Sequence, residues 1–181
     1  MTRRRTYRDV VREIAMDHHG YVTTKDAAAA GVPGVELPKL ARYGRIEHVA
    51  YGLYQVRDLP PYVFAPYAEA LLRVGGGAFL YGETVLALLG LAGVNPRRIR
   101  VAVPGRTRAG LPDAIDLVRV GSSIRVVEYE GLRCQPVGDA LLECRGRIET
   151  ARLVAAVGDA RRNGYLSEAA ARRVRKVLRD G

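Results

Sequence analysis

Residues 20–56 read GYVTTKDAAAAGVPGVELPKLARYGRIEHVAYGLYQV, and this stretch decides the fold of the N-terminal region. Thr23 and Thr24 offer hydroxyl N-caps for a short alanine-rich helix, and Gly31 offers its C-terminal stop. After a turn at residues 32–34, a second helical pattern runs to Tyr43 and places its apolar residues on one face. The stretch therefore predicts a helix-turn-helix.

The residues that follow predict a β-hairpin. Two β-rich runs, 45–49 and 53–56, flank the glycine-containing turn at residues 50–52. An amphipathic pattern over residues 4–17 adds a first helix. A hairpin placed directly after a helix-turn-helix is a wing, so residues 1–58 are predicted to form a winged helix-turn-helix DNA-binding domain.

The second helix of the pair presents candidate DNA-binding side chains. If Leu37 marks the buried direction, Val35, Lys39 and Arg42 point the opposite way, towards a major groove. Lysine and arginine can pair with guanine edges or with phosphates, although a solvated helix face has the same composition. Thr24 and Lys25 are expected to hold a phosphate at a helix N-terminus. The predicted DNA-binding residues are Thr24, Lys25, Val35, Lys39, Arg42, Tyr43, Arg45, His48 and Tyr51.

Pro38 conflicts with a helix that begins near Gly34. Proline inside a helix removes one backbone hydrogen bond and crowds the preceding turn. The second helix is therefore expected either to bend at Pro38 or to begin later than Gly34.

Composition excludes several classes of protein. The chain has 181 residues, of which 48% are hydrophobic, so it can bury a core. Its apolar runs are shorter than the roughly 20 residues that a membrane span needs, and we expect a cytoplasmic protein with no membrane partner. Cys134 and Cys144 lack the CxxC spacing of zinc or redox sites. We predict no metal, no cofactor and no disulfide.

The chain is predicted to continue with a second domain. Residues 58–61, Asp-Leu-Pro-Pro, interrupt regular structure and give the predicted boundary, with a C-terminal domain over residues 62–181. The predicted fold class is α+β, a winged helix-turn-helix followed by a mixed α/β domain with a small sheet and C-terminal helices. The expected strands are 99–103, 115–120, 124–129 and 132–134, and the expected helices are 66–74, 84–89, 138–144, 150–163 and 168–179.

Positive charge is concentrated at the C-terminal end. The net charge is +10, and residues 132–181 carry eleven Lys/Arg against six Asp/Glu. This end could contact DNA or an acidic partner, or it could be an ordinary solvated helix whose cations suit its C-terminal end. The candidate basic surface comprises Arg161, Arg162, Arg172, Arg173, Arg175, Lys176 and Arg179.

Acidic residues near the predicted sheet raise the hypothesis of a metal-dependent nuclease. Asp113, Asp116, Glu128 and Glu130 are the carboxylates that could hold Mg²⁺. A lysine is expected one residue after the second-strand acid, and Glu130 occupies that position. We therefore predict that the protein is not an enzyme and has no catalytic residues.

Short motifs connect both regions with a known family. They comprise Gly20, Val22-Thr23, Gly31-Val32, Leu37, Leu40, Gly44-Arg45 and Gly52-Leu53-Tyr54, then Glu83-Thr84-Val85-Leu86 and Gly90-Leu91. The chain thereby resembles the AbiEi-type antitoxins of type IV toxin-antitoxin systems. It departs from the family pattern at Pro38, where a polar or basic residue is frequent, and at Tyr51, where arginine is common.

The resemblance implies a function. It implies a repressor of its own operon that binds inverted repeats in double-stranded promoter DNA. It also implies a C-terminal domain that neutralises a nucleotidyltransferase-like toxin. The alternative is a ligand-responsive winged-helix regulator without a toxin partner.

Overall fold

The computed structural model describes residues 5–105 and 110–180. They divide into two compact units, the first ending at Arg73 and the second beginning at Val74. The predicted α+β fold class is confirmed. The first unit contains α1 (Tyr7–Asp17), β1 (Tyr21–Thr23), α2 (Thr24–Ala29), α3 (Glu36–Arg42), β2 (Ile46–Ala50), β3 (Leu53–Val56) and most of α4 (Ala65–Val74).

Local capping sets where the first helices begin. Thr6 and Asp9 form a reciprocal capping box before α1, with the Thr6 amide donating to the Asp9 carboxylate at 2.9 Å. Thr23 caps α2, since its hydroxyl accepts from the Asp26 amide at 3.1 Å. Thr24 is consequently the first residue of α2 rather than its cap.

The late start of α3 removes the conflict at Pro38. Because α3 begins at Glu36, Pro38 is its third residue. The first amides of any helix lack an intrahelical partner, so proline there costs no hydrogen bond. Of the two expected outcomes, the structure has the later start.

The helices of the first unit pack on a three-stranded antiparallel sheet. Its strand order is β1-β3-β2, and the sequence did not predict β1. Tyr21, Val22 and Thr23 pair with Gln55, Tyr54 and Leu53. The core beneath contains Val11, Ala15, Val22, Ala27, Val32, Leu37, Ile46, Tyr54 and Val56.

The division between the two compact units falls after Arg73, later in the chain than the predicted boundary at residues 58–61. The rings of Tyr62 and Phe64 meet the His19 ring edge-on, each at 6.1 Å between centroids. Further along, the Tyr21 hydroxyl donates to the Glu69 carboxylate at 2.7 Å. The chain from Tyr62 to Arg73 therefore packs with the first unit despite the proline breaker.

The second unit is built on a mixed sheet of five strands in the order β6-β5-β4-β8-β7. The pairs β5/β6 and β4/β8 are parallel, whereas β4/β5 and β7/β8 are antiparallel. Its elements are β4 (Phe79–Leu80), α5 (Glu83–Leu88), β5 (Ile99–Val103), β6 (Ile115–Arg119), β7 (Val127–Tyr129), β8 (Leu132–Cys134), α6 (Val137–Glu143), α7 (Thr150–Arg162) and α8 (Glu168–Asp180).

Two strands differ from their predicted form. The central strand β4 has only two residues, too few for an alternating pattern, and it is not among the expected strands. The predicted strand 124–129 is shorter and begins at Val127, while Ile124 and Val126 pack against a cluster of Phe79, Tyr81 and Ala102.

The C-terminal helices pack closely on one another. A Cβ added at Gly138 of α6 would lie 3.3 Å from the Val174 side chain of α8, so glycine permits that approach. Within residues 5–105 and 110–180, no helix combines the length and apolar character needed to cross a membrane.

The turn of the hairpin generates a stability prediction. Gly52 has φ +65°, and a Cβ added there would lie 2.9 Å from the Thr24 hydroxyl oxygen. Gly44 has a similar φ of +67°, but a Cβ added there would have no atom within 4 Å. We expect Gly44→Ala to lower the free energy of unfolding by about 1 kcal/mol, the backbone cost of a left-handed alanine. Gly52→Ala should cost clearly more because of the contact, and urea titration measures both.

The loss of unfolding free energy by which Gly52→Ala exceeds Gly44→Ala should disappear when Gly52→Ala is made in a Thr24→Ala background. Equal losses for the two glycines in the parent sequence would contradict the predicted contact.

Candidate nucleic-acid interface

The outward face of α3 is exposed as its periodicity predicted. Leu37 is 1% exposed and faces the core, whereas Val35 is 72% exposed. Lys39 and Arg42 are also exposed and lie four and seven residues after Val35. The structure thus places the three predicted contact residues on one accessible helix face.

Several cations near this face have no acidic partner. In the part of the chain that the structure describes, Lys25, Arg42 and Arg45 form no ion pair. Lys39 lies 3.5 Å from the Glu36 carboxylate in an exposed pair, and such pairs are weak. A polyanion could bind these cations without first displacing a strong internal ion pair.

The N-terminus of α2 offers a phosphate fewer groups than the sequence suggested. The Thr24 amide donates to the Gly52 carbonyl at 2.9 Å, and the Asp26 amide is used by the Thr23 hydroxyl. The Asp26 carboxylate also accepts a hydrogen bond from that hydroxyl at 2.6 Å. The Lys25 side chain, which is exposed, is therefore the better phosphate ligand at this end.

The wing presents Tyr51 at its tip, and this side chain is fully exposed. His48 on β2 is exposed as well, but its ring packs against Tyr54 with centroids 5.0 Å apart. The ring contact restricts the His48 side chain, whereas Tyr51 and the 68% exposed Tyr43 remain accessible.

A group that supports the wing was missed by the sequence reasoning. The β2/β3 register shifts between His48 and Ala50, and Arg73 donates to the Val49 carbonyl at that shift, at 2.7 Å. Arg73 also pairs with Glu69 at 2.6 Å. The i,i+4 spacing of Glu69 and Arg73 was the available signal, although it gives no hint of the contact with the wing.

The Glu69 carboxylate also accepts a hydrogen bond from Tyr21, so one acid connects α4 to β1. Burial raises the pKa of the Tyr21 phenol most, and the hydrogen bond to Glu69 raises it further. Tyr21 therefore stays neutral at physiological pH and remains the hydrogen-bond donor.

The cations of the predicted C-terminal basic surface fall into two groups, those that form ion pairs and those that do not. Arg161 pairs with Glu168 at 3.1 Å, and Arg162 pairs with Asp159. The α8 cations form no ion pair with any described residue. Four of them, Arg172, Arg175, Lys176 and Arg179, line a shallow cleft of about 290 Å³ together with Asp180.

The carboxylates of the nuclease hypothesis do not form a metal-binding group among the described residues. Asp116 lies 3.0 Å from the Arg100 guanidinium, while Glu128 pairs in register with Arg133. Both cysteines are free and buried, and burial raises the pKa of each thiol to about 12. The thiols therefore stay protonated at neutral pH and are poor nucleophiles.

Comparison with known proteins supports the N-terminal resemblance. Residues 9–57 match a family described as "Transcriptional regulator, AbiEi antitoxin". A solved structure, the RV2827C protein from Mycobacterium tuberculosis, is similar with a TM-score of 0.50 and 21% sequence identity. The match covers 91% of this chain and 69% of that one, and it shows a shared fold. No curated protein matches the sequence significantly.

The contact between Arg73 and the wing gives a second prediction. Arg73→Ala leaves the Val49 carbonyl and the Glu69 carboxylate without this partner, and we expect a loss of about 1–3 kcal/mol in the free energy of unfolding. Hydrogen exchange should accelerate in β2 and β3.

The matched control is Arg57→Ala, which removes an exposed arginine that pairs with Glu47 at 2.5 Å. Its cost should stay below about 1 kcal/mol. If both substitutions have the same effect on stability and exchange, Arg73 does not support the wing.

Proposed function

We propose that this chain, whose residues 9–57 match the AbiEi antitoxin family of transcriptional regulators, represses its own operon by binding inverted repeats in the promoter. The observation that carries the proposal is the exposed face of α3, with its cations, in the unit that matches the family. The proposed function is regulatory binding rather than catalysis.

The dimensions of α3 suit the major groove. An α-helix with its side chains is about 10–12 Å across, and the major groove of B-form DNA is about 12 Å wide. Lys39 and Arg42 would donate to guanine edges or phosphates, and Val35 would contact a thymine methyl group. These residues are the proposed base-reading set.

Phosphate contacts would come from residues around this helix. Lys25 and Arg45 are exposed cations without an ion pair in the described ranges, and positively charged side chains of this kind position a protein on DNA. Tyr43, Tyr51, His48 and Thr24 complete the proposed interface, with Tyr51 on the wing placed against the backbone or minor groove. Inverted repeats would require two copies of the unit, one on each half-site.

The second unit is proposed to supply the antitoxin activity against a nucleotidyltransferase-like toxin encoded beside this chain. The proposal rests on the family of the first unit. We assign the α8 cations Arg172, Arg173, Arg175, Lys176 and Arg179 to this activity. They form no ion pair with a described residue, they lie outside the unit proposed to read DNA, and all but the partly buried Arg175 are exposed.

DNA binding is tested by retardation of the chain's own promoter fragment at several salt concentrations. Lys39→Ala and Arg42→Ala should each weaken binding by about tenfold, since a base contact contributes roughly 1–3 kcal/mol. Arg8→Ala removes the same charge from α1, where Arg8 pairs with Asp58 at 2.8 Å, and should bind within twofold of the parent. Parent-like retardation by both α3 variants would refute the assignment.

Antitoxin activity is tested by co-expression with the neighbouring reading frame. The parent chain and Lys39→Ala should both restore growth, because toxin neutralisation is proposed to use the other unit. A variant with Arg172, Arg175 and Lys176 changed to Ser should lose rescue while it retains operator binding. A neighbouring frame that is neither toxic nor nucleotidyltransferase-like would contradict the antitoxin proposal.

A further inference from the structure

The second unit contains a cleft of about 570 Å³, here called the arginine cleft, that the regulatory proposal does not use. Its walls come from the loop before β5, the first turn of α5, strand β6 and the segment that leads into α7. Its volume lies in the range of small-molecule sites, roughly 300–1,000 Å³. The residues that carry the inference are Arg97, Arg98, Arg147, Arg152, Glu83 and Asp116.

Two of the cations are available to a ligand. Arg97 and Arg98 are exposed at the rim and form no ion pair with any residue that the structure describes. Arginine presents a planar fork of donors that binds phosphate through two parallel hydrogen bonds. Adjacent unpaired arginines in a concavity therefore favour an anionic group.

The two carboxylates of the cleft are already held by arginine. Glu83 lies 3.3 Å from the Arg100 guanidinium, and Asp116 lies 3.0 Å from the Nε of the same residue. Arg147 approaches Glu83 at 3.7 Å. These ion pairs offset part of the charge of both acids, although the buried Arg100 Nε has no hydrogen-bond partner among the described residues. The remaining carboxylate lone pairs can still accept hydrogen bonds.

A further contact holds the wall of the cleft. Arg152 donates to the carbonyl oxygens of Ala92 and Gly93 at 2.6 and 2.9 Å. Ala92 has φ +56°, a conformation that costs an L-residue energy and persists only when surrounding contacts impose it. The loop is thus held in one shape before any ligand binds, which lowers the entropic cost of binding.

We propose that the arginine cleft binds a phosphorylated sugar, either free or as part of a nucleotide. Arg97 and Arg98 hold the phosphate, and Glu83 or Asp116 accepts hydrogen bonds from sugar hydroxyls. A DNA backbone fits less well, because it offers no sugar hydroxyl to Glu83 or Asp116. A ligand with one anionic end and one hydroxyl-bearing end matches both kinds of lining residue.

The proposal is tested by isothermal titration of the full chain with ribose 5-phosphate, inorganic phosphate and ribose. Ribose 5-phosphate should bind saturably and at least tenfold more tightly than either component. Adenosine monophosphate is the fourth probe. If adenosine monophosphate binds more tightly than ribose 5-phosphate, the cleft is a nucleotide site. If the two bind equally, it is a sugar-phosphate site.

Two double variants test whether ribose 5-phosphate binds at the arginine cleft. Arg97→Ser with Arg98→Ser should weaken ribose 5-phosphate at least tenfold, with an unchanged melting temperature because both side chains are exposed. Arg119→Ser with Arg125→Ser removes the same charge from exposed positions of the second unit outside the cleft, and should leave the affinity within twofold. The proposal would be overturned if the two double variants lost the same affinity for ribose 5-phosphate, or if the parent chain showed no saturable binding of it.

Operator retardation measured on the same variants separates this site from the DNA interface. If the Arg97/Arg98 variant keeps its sugar-phosphate affinity but loses operator binding, the cleft binds nucleic acid and the proposal is wrong. Failure of the operator assay in the parent chain would refute the regulatory proposal and leave the sugar-phosphate result standing.

Discussion

The first unit depends on the hydrogen bond between the Thr24 amide and the Gly52 carbonyl, which joins the start of α2 to the turn of the wing. Beside it, β1 adds to the hairpin by pairing Thr23 with Leu53. The turn approaches closely enough that a side chain at position 52 would collide with the Thr24 hydroxyl. These contacts hold the wing and the helix-turn-helix as one body, so exposed residues on both can bind one ligand.

Two kinds of interaction hold this arrangement. The α3 face is positioned by apolar burial, because Leu37 inserts into the core and turns Lys39 and Arg42 outward. The wing is positioned by polar contacts, because Arg73 binds the Val49 carbonyl at the irregular point of β2 while Glu69 holds both Arg73 and Tyr21. The proposed interface thus has an apolar support under the helix and a polar support under the hairpin.

The second unit combines fixed and available charge. In the arginine cleft, Arg100 and Arg152 are engaged in ion pairs or carbonyl contacts, and Arg97 and Arg98 are not. On α8, the available cations form a separate surface. The positive charge of the second unit therefore occurs in three different situations: structural arginines, rim arginines in a concavity, and a solvated helix face.

The sequence by itself determined the elements whose signals are local: a threonine cap at residue 23 or 24, the α3 face and the hairpin around Gly52. Helical periodicity and turn preferences depend on residues that are close together in the sequence, so the sequence alone is enough to read them. Only the tertiary structure decided that residues 62–73 pack on the first unit, that the two-residue β4 is a central strand, and that Arg73 reaches Val49. Those features arise from contacts between distant residues, which no local pattern encodes.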